Sequence, residues 1–201
     1  MLLFQDEIIH LYMKKNRTFE QLLDQFEAVK SRIEEFHNVP EDLFIQKPTA
    51  DTWSAAEVCN HLVQFNTLYL TEIEKAAANP VVSNEEINSL RAGFLCRQFI
   101  KFLEPPYKVK VKTVEPMQPV YSERTAEDII SKLLNTENEL TEWILYFQKQ
   151  QIDLNRTKGK NPVIKWLPMS ITDLLLVLDA HQRRHIWQIE TTLSSLSGTK
   201  Y

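Results

Sequence analysis

The segment SITDLLLVLDAHQRRHIWQI, residues 170–189, decides the fold. Its apolar residues recur at spacings of three and four, which is the periodicity of one face of an α-helix. Ser170 and Asp173 occupy the two positions of a capping box, so they predict where this helix begins. His181 and His185 continue the apolar face one turn apart. The sequence therefore predicts a long helix with two imidazoles pointing inward.

Three other segments show the same periodicity, each behind its own capping signal. They begin at Thr18, at Ser54 and near Thr125, and each has a glutamine or an acidic residue three positions later. Four capped amphipathic helices predict an all-α fold, an antiparallel four-helix bundle. We expect one domain over residues 1–201, with a core from about 18 to 195.

The connections between these helices are less regular. An insertion at about 79–121 separates the second and third helices and is longer than a simple bundle loop. Within it we predict an extra helix from Asn84 to Leu103, and an extended segment from Tyr107 to Val114, where lysine alternates with valine. The inward residues of the extra helix are expected to be Ile87, Leu90, Phe94 and Phe99. Those of the second bundle helix are expected to be Val58, His61, Phe65 and Leu68.

The composition excludes several classes of protein. The chain has 3 glycines, too few for a glycine-rich phosphate loop, and a formal net charge of −4, which argues against a nucleic-acid partner. Its 2 cysteines cannot form a disulfide scaffold or an all-cysteine zinc site. The longest aliphatic run, Leu174 to Leu178, is far below the ~20 residues of a membrane span. We expect a cytoplasmic protein without a membrane partner, its cysteines reduced.

A third histidine lies at an inward position on the second helix. His61 stands between Val58 and Phe65, so three imidazoles are expected in the bundle interior. Buried imidazoles need hydrogen-bond partners or a metal ion, because an unpaired polar group in an apolar interior costs free energy. One metal ion would satisfy all three rings. The spacing alone supports a metal site and a hydrogen-bonded core about equally.

Two motifs in these helices resemble a known family. Residues 52–62, TWSAAEVCNHL, resemble the W-S-x-x-E-x-x-x-H-L signature of the DinB-like superfamily. Residues 179–190, DAHQRRHIWQIE, resemble its closing H-x-x-R-H-x-x-Q-I motif. The resemblance covers four helices in the same order. It implies a bundle in which His61, His181 and His185 hold one divalent metal ion, zinc, nickel or iron.

The resemblance also implies a type of chemistry. Three protein nitrogens leave at least one coordination position open, as in catalytic sites. The superfamily includes thiol S-transferases, an isomerase and proposed hydrolases, so the implied function is activation of water or a low-molecular-weight thiol against a small-molecule substrate. A homodimer is compatible with the family. The alternative is a non-catalytic metal-binding or stress-associated bundle that acts as a binding module.

Two neighbouring kinds of metal site are excluded. A zinc peptidase of the H-E-x-x-H type needs a glutamate after its first histidine, where this chain has the amide Gln182. Di-iron bundles need E-x-x-H pairs. The residues three positions before the three histidines are instead Val58, Leu178 and Gln182.

Other side chains are weaker candidates. Gln188, one turn beyond His185, could hydrogen-bond a ligand histidine or the substrate, or it could equally be an ordinary polar residue near the end of the helix. Glu57 is expected to serve as a cap, and Glu137 lies on one of two equally good inward stripes of the third helix. Arg183 and Arg184 flank the histidines and could bind an anionic substrate, but we expect them to be solvated charges. The remaining candidates are expected to be small apolar fillers (Cys59, Cys96), a packing residue (Trp53) and surface histidines (His10, His37).

Overall fold

The computed structural model describes residues 17–85, 87, 89–104, 118 and 125–201. Most of them lie in helices, which confirms the predicted all-α fold. In chain order the elements are α1 (Phe19–Glu35), a 3₁₀ turn (Phe36–Asn38), α2 (Glu41–Ile45), α3 (Ala55–Ala77), α4 (Phe94–Leu103), α5 (Ala126–Lys149), β1 (Lys158–Lys160), β2 (Pro168–Ser170) and α6 (Ile171–Ser197). The two strands pair antiparallel just before α6.

The four long helices, α1, α3, α5 and α6, begin where their capping signals predict. Ser54 Oγ accepts a hydrogen bond from the backbone N–H of Glu57, whose carboxylate accepts one from the N–H of Ser54. Glu57 is therefore a capping residue, as predicted. The same reciprocal pairs form between Thr18 and Gln21 and between Ser170 and Asp173, whereas Thr125 only accepts from the N–H of Asp128.

Removal of the cap on α3 should be measurable. We expect Ser54→Ala to lower the free energy of unfolding by about 1 kcal/mol in urea titrations, because the N–H of Glu57 loses its acceptor. Ser195→Ala is a matched control within α6, where alanine is the better helix former. Equal losses in both variants would contradict a capping role for Ser54.

Two apolar clusters fix the directions of the long helices. One cluster joins the starts of α1 and α6 to the ends of α3 and α5, and includes Phe19, Leu174, Ile73 and Phe147. The other joins the ends of α1 and α6 to the starts of α3 and α5. Therefore α1 and α6 run in one direction, and α3 and α5 run in the opposite direction. Both α1 and α3 pack against both α5 and α6.

These directions explain the long insertion. Because α3 and α5 are parallel, the chain that leaves the end of α3 must return along the bundle before α5 can begin. The 24-residue helix α5 is itself about 36 Å long at ~1.5 Å per residue. A short loop cannot make that return, so the bundle requires a crossover connection.

Inside the insertion, the predicted helix from Asn84 to Leu103 is too long. Leu90 is extended, with hydrogen bonds between its backbone and that of Arg17, and α4 starts only at Phe94. The carboxylate of Asp173 accepts from the N–H of Gly93 and ties the start of α4 to α6. The face of α4 that packs on the core carries Cys96, Ile100 and Leu103. Leu90 is buried, but Phe94 and Phe99, also predicted inward, are exposed.

One further inward assignment is wrong. Leu68 of α3 is exposed. Because α3 packs against two helices, its buried face extends instead through Asn66, Tyr69 and Leu70. The predicted extended segment from Tyr107 to Val114 lies outside the described residues, as does His10. In the part of the chain that the structure describes, no helix has the length and apolar character needed to cross a bilayer.

Candidate metal centre

The three inward histidines meet between α3 and α6. His61, His181 and His185 each place one possible ligand nitrogen within 4.8 Å of the others. The Nε2 atoms of His61 and His181 are 3.2 Å apart. All three side chains are buried, with 3%, 7% and 8% exposure respectively. The structure thus brings together the three residues predicted as ligands, from two segments distant in the chain.

The electrostatics of this cluster favour neutral rings. Burial lowers the pKa of His181 well below its usual range, and the neighbouring rings of His185 and His61 lower it further. Burial also lowers the pKa of His185 to about 3, and His61 acts in the same direction. At neutral pH both imidazoles therefore keep a lone pair, which is the form that binds metal ions.

Aromatic side chains enclose the cluster. The ring of Phe65 stacks on that of His181, with ring centroids 3.6 Å apart and an interplanar angle of 13°. Trp53 lies 5.3 Å from His61, centroid to centroid, and packs at the start of α3 as predicted. These contacts fix ring orientations and keep the surroundings of the imidazoles apolar.

Gln188 determines the tautomer of His185. His185 Nδ1 lies 2.9 Å from Gln188 Oε1. Because an amide oxygen only accepts hydrogen bonds, Nδ1 carries the proton, and Nε2 keeps the lone pair. Such a hydrogen bond from the second ring nitrogen is the usual support of a metal-binding histidine. The sequence proposed a hydrogen bond either to a histidine or to the substrate, and the structure shows the first.

Loss of this hydrogen bond should weaken metal binding without abolishing it. We expect Gln188→Leu to lower zinc affinity by about 10- to 100-fold, because His185 is no longer held in the required tautomer. Competition with a chromophoric chelator measures the change. Gln148→Leu, at an exposed position of α5, serves as the control and should retain the wild-type affinity. Wild-type affinity in Gln188→Leu would contradict the role assigned to Gln188.

A divalent cation fits the donor set. Zinc–nitrogen bonds of ~2.0–2.1 Å place two ligands of a tetrahedral ion about 3.3 Å apart, close to the 3.2 Å between the Nε2 atoms of His61 and His181. His181 Nδ1 is buried and has no hydrogen-bond partner among the described residues, and a cation at Nε2 would not change that, so the fit rests on the distance between the Nε2 atoms. Three histidine nitrogens suit zinc, nickel or iron.

A layer of polar side chains lies in the middle of the bundle, next in sequence to the cluster. Gln182 Nε2 donates to Glu137 Oε1 over 2.8 Å, and Asn66 Nδ2 donates to the same oxygen over 2.7 Å. The sequence left Glu137 either inside or outside the bundle, and the structure buries it completely. We did not predict roles for Asn66 and Gln182. Their positions beside Phe65 and His181, on inward faces, were the available signal.

Arg183 is buried, so the prediction that it is a solvated charge is wrong. Its guanidinium donates to both carboxylate oxygens of Asp179, each over 3.0 Å, and to Glu104 at the end of α4 over 3.2 Å. Arg17 donates to Asp179 from the other side. Neutralisation by these carboxylates permits the burial. Arg184 is partly exposed.

The cysteines and the described surface histidine have no place in the cluster. Cys59 is fully buried in the apolar core, and burial raises the pKa of its thiol. Cys96 is partly buried against the core. Both are apolar fillers, as predicted. His37 is a surface residue, also as predicted, and its Nδ1 lies 2.8 Å from Glu127.

Comparison with known proteins identifies one matching family. The family model of the DinB superfamily matches residues 19–189, a range that contains the four long helices almost completely and all three histidines of the cluster. No curated protein and no solved structure matches the chain significantly. The length of the matched region makes this chain a member of the DinB superfamily.

Proposed function

We propose that this chain is a divalent-metal-dependent enzyme in which His61, His181 and His185 hold one cation next to a small-molecule substrate. The supporting observation is that three buried imidazoles converge, and no carboxylate, thiol or fourth histidine joins them among the described residues. The bound cation supplies positive charge that lowers the pKa of water or of a thiol in an open coordination position.

The residues around the histidines have distinct roles in this proposal. Gln188 holds the proton of His185 on Nδ1 and thereby directs Nε2 toward the cation. Phe65 and Trp53 exclude water from the face of the imidazoles that they cover. The small exposure of the three histidines limits the reactant to a small molecule. Gln188 is thus a positioning residue, since its amide oxygen accepts the hydrogen bond from His185 Nδ1.

Transfer of a thiol is the reaction type that we favour over hydrolysis. Hydrolysis commonly uses a side chain as general base, and no carboxylate belongs to the cluster among the residues described. A low-molecular-weight thiol that ionises on a cation needs no such base. The proposal is therefore an S-transferase, with hydrolysis as the second reaction type.

A non-catalytic bundle is the alternative that one observation favours. The Nε2 atoms of His61 and His181 lie 3.2 Å apart, where one ring can donate a hydrogen bond to the other without any metal ion. A bundle of this kind would act as a binding module. This alternative predicts that the histidines bind metal ions weakly, or that a bound metal ion has no coordination position open to a substrate.

The test uses cobalt as a spectroscopic probe. Protein purified without a histidine tag is analysed for metal, stripped, loaded with Co²⁺ and titrated with a small thiol such as 2-mercaptoethanol. We expect about one cobalt per chain and, on addition of thiol, a sulfur-to-cobalt charge-transfer band, because the open position accepts a soft ligand. His181→Ala should show neither signal.

Two results would argue against the enzyme. A stoichiometry well below one cobalt per chain in the wild type would show that the three histidines do not form a metal centre. Tight binding of cobalt with a spectrum that neither thiols nor small anions change would indicate a closed, structural site.

A further inference from the structure

The polar layer contains a buried carboxyl group that the proposed function does not use. Glu137 and Gln182 are both fully buried, and one hydrogen bond joins them, from Gln182 Nε2 to Glu137 Oε1. The second oxygen of each group, Glu137 Oε2 and Gln182 Oε1, has no hydrogen-bond partner among the described residues. The two unpartnered oxygens thus belong to the two groups that this bond connects.

A single proton satisfies both atoms. Two oxygens that only accept hydrogen bonds cannot pair with each other, and each unpaired buried acceptor is costly. A proton on Glu137 Oε2 converts that atom into a donor, and the oxygen of the Gln182 amide is the acceptor that needs it. The pair then has the two hydrogen bonds of a carboxylic acid joined to an amide.

The position of this pair connects it to the histidines. Gln182 follows His181 directly on α6. On α3, Asn66 donates to Glu137 and follows Phe65, whose ring stacks on His181. Glu137 on α5 therefore accepts hydrogen bonds from the residues that follow His181 and Phe65 in the chain. Thr136 accepts a further hydrogen bond from Asn66 over 2.9 Å.

We propose that Glu137 is a protonated positioning residue of the histidine centre, donating from Oε2 to Gln182 Oε1 and thereby fixing α6 against α3 where the imidazoles meet. The assignment of the proton to Glu137 rests on the described residues alone, whereas the effect of Glu137 on metal binding rests on the proposed function.

The electrostatics agree with this assignment. Burial raises the pKa of Glu137 to about 8, the hydrogen bonds from Asn66 and Gln182 oppose that shift, and the charge of Asp179 on α6 adds to it. The groups that contact Glu137 from α3 and α6 are the neutral amides of Asn66 and Gln182. Asp179 is, among the described residues, the charged group whose field raises this pKa.

The first test detects the proton itself. We expect the infrared spectrum of the native protein at neutral pH to contain the carbonyl band of a protonated carboxylic acid. Glu137→Gln should remove the band, and Glu139→Gln, at an exposed glutamate on the same helix, should retain it. Absence of the band, or its persistence in Glu137→Gln, would show an ionised Glu137 and overturn the proposal.

The pH dependence of stability provides an independent readout of the same proton. The folded chain keeps the proton while the unfolded chain releases it above a pKa of about 4.3, so the wild type loses stability as pH rises toward 8. Between pH 5 and pH 7 the unfolding equilibrium constant of the wild type should rise roughly 100-fold relative to Glu137→Gln. A ratio that does not change with pH would overturn the assignment.

The second test concerns positioning and uses Co²⁺ affinity and spectrum. Glu137→Gln reproduces the protonated pair, since its amide can both accept and donate, and should retain the wild-type affinity and spectrum. Glu137→Ala should lower the affinity about 10-fold or more and alter the spectrum. If Glu137→Ala does not fold, Gln182→Leu is the replacement variant, with the same expectation.

The results separate this proposal from the proposed function. Wild-type affinity and an unchanged spectrum in Glu137→Ala or Gln182→Leu would overturn the positioning role while the metal centre stands. Failure of the wild type to bind Co²⁺ would overturn the positioning role together with the proposed function, and the infrared band would still decide whether Glu137 carries the proton.

Discussion

Replacing His181 by leucine should change stability little in metal-free protein and much more in metal-loaded protein. Without metal we expect a change in unfolding free energy of no more than about 1 kcal/mol. The variant loses the contact with His61 but also removes a buried Nδ1 that has no partner among the described residues. With metal at about 1,000 times its dissociation constant, the variant should lack the roughly 4 kcal/mol that ligand binding contributes. Urea unfolding with chelator and with zinc measures both.

A histidine outside the cluster provides the control. His37 is on the surface and contacts Glu127, so His37→Leu should respond identically to chelator and to zinc. If His181→Leu destabilised the protein equally in both conditions, the imidazoles would be a hydrogen-bonded core, and the metal centre would be excluded.

Asp179→Ala is expected to be the most damaging substitution in metal-free protein. Asp179 is 1% exposed, and its carboxylate accepts hydrogen bonds from the buried guanidiniums of Arg17 and Arg183. Removing it leaves two buried guanidiniums near each other, with Glu104 still accepting from Arg183 and Gln25 from Arg17, at a cost of about 3 kcal/mol. Urea unfolding of the metal-free protein measures the loss, which could be a large share of total stability.

The loss of stability in Asp179→Ala should arise because the carboxylate is buried, not merely because a negative charge is removed. Asp24→Ala on exposed α1 surface should change the free energy of unfolding by no more than about 0.5 kcal/mol. Asp179→Asn retains the shape and accepts a hydrogen bond, and we expect an intermediate loss. If Asp179→Ala lost less than about 1 kcal/mol, Glu104 and Gln25 would be sufficient partners for the two guanidiniums, and the role assigned to Asp179 would be wrong.

Local features of this fold could be predicted because they depend on neighbours in sequence. The capping pairs at Thr18, Ser54 and Ser170 form within four residues, so the helix starts required no knowledge of tertiary structure. The inward direction of His61 followed from the spacing of apolar residues on one helix face. Helix periodicity and capping chemistry are properties of a single segment.

Features that depend on contacts between segments could not be predicted. Arg183 reads as a surface charge until Glu104 from α4 and Arg17 from before α1 appear beside its partner Asp179. The ion pair of Asp179 with Arg183, four residues apart on one helix, was the only local signal. Likewise Glu137 could not be placed, because α5 packs against both α1 and α3 and therefore buries both of its candidate stripes.

The start of α4 illustrates the same limit. Residues 84–93 have enough helical pattern to extend the helix, yet Leu90 pairs with Arg17 and Gly93 donates to Asp173. Both partners are distant in sequence, and their hydrogen bonds stabilise an extended backbone before Phe94. Tertiary contacts thus overrode a local helical preference.

The crossover connection has a consequence for the order in which the molecule can assemble. His61 and His181 are separated by 120 residues, and Arg17 and Asp179 by 162. Contacts of such long range form late and slow the folding of a chain. The helix that supplies two of the three nitrogens, α6, also leaves the ribosome after α1, α3 and α5. A growing chain therefore cannot assemble the proposed metal centre before α6 has emerged, and detachment of this one helix would remove two of its three nitrogens together.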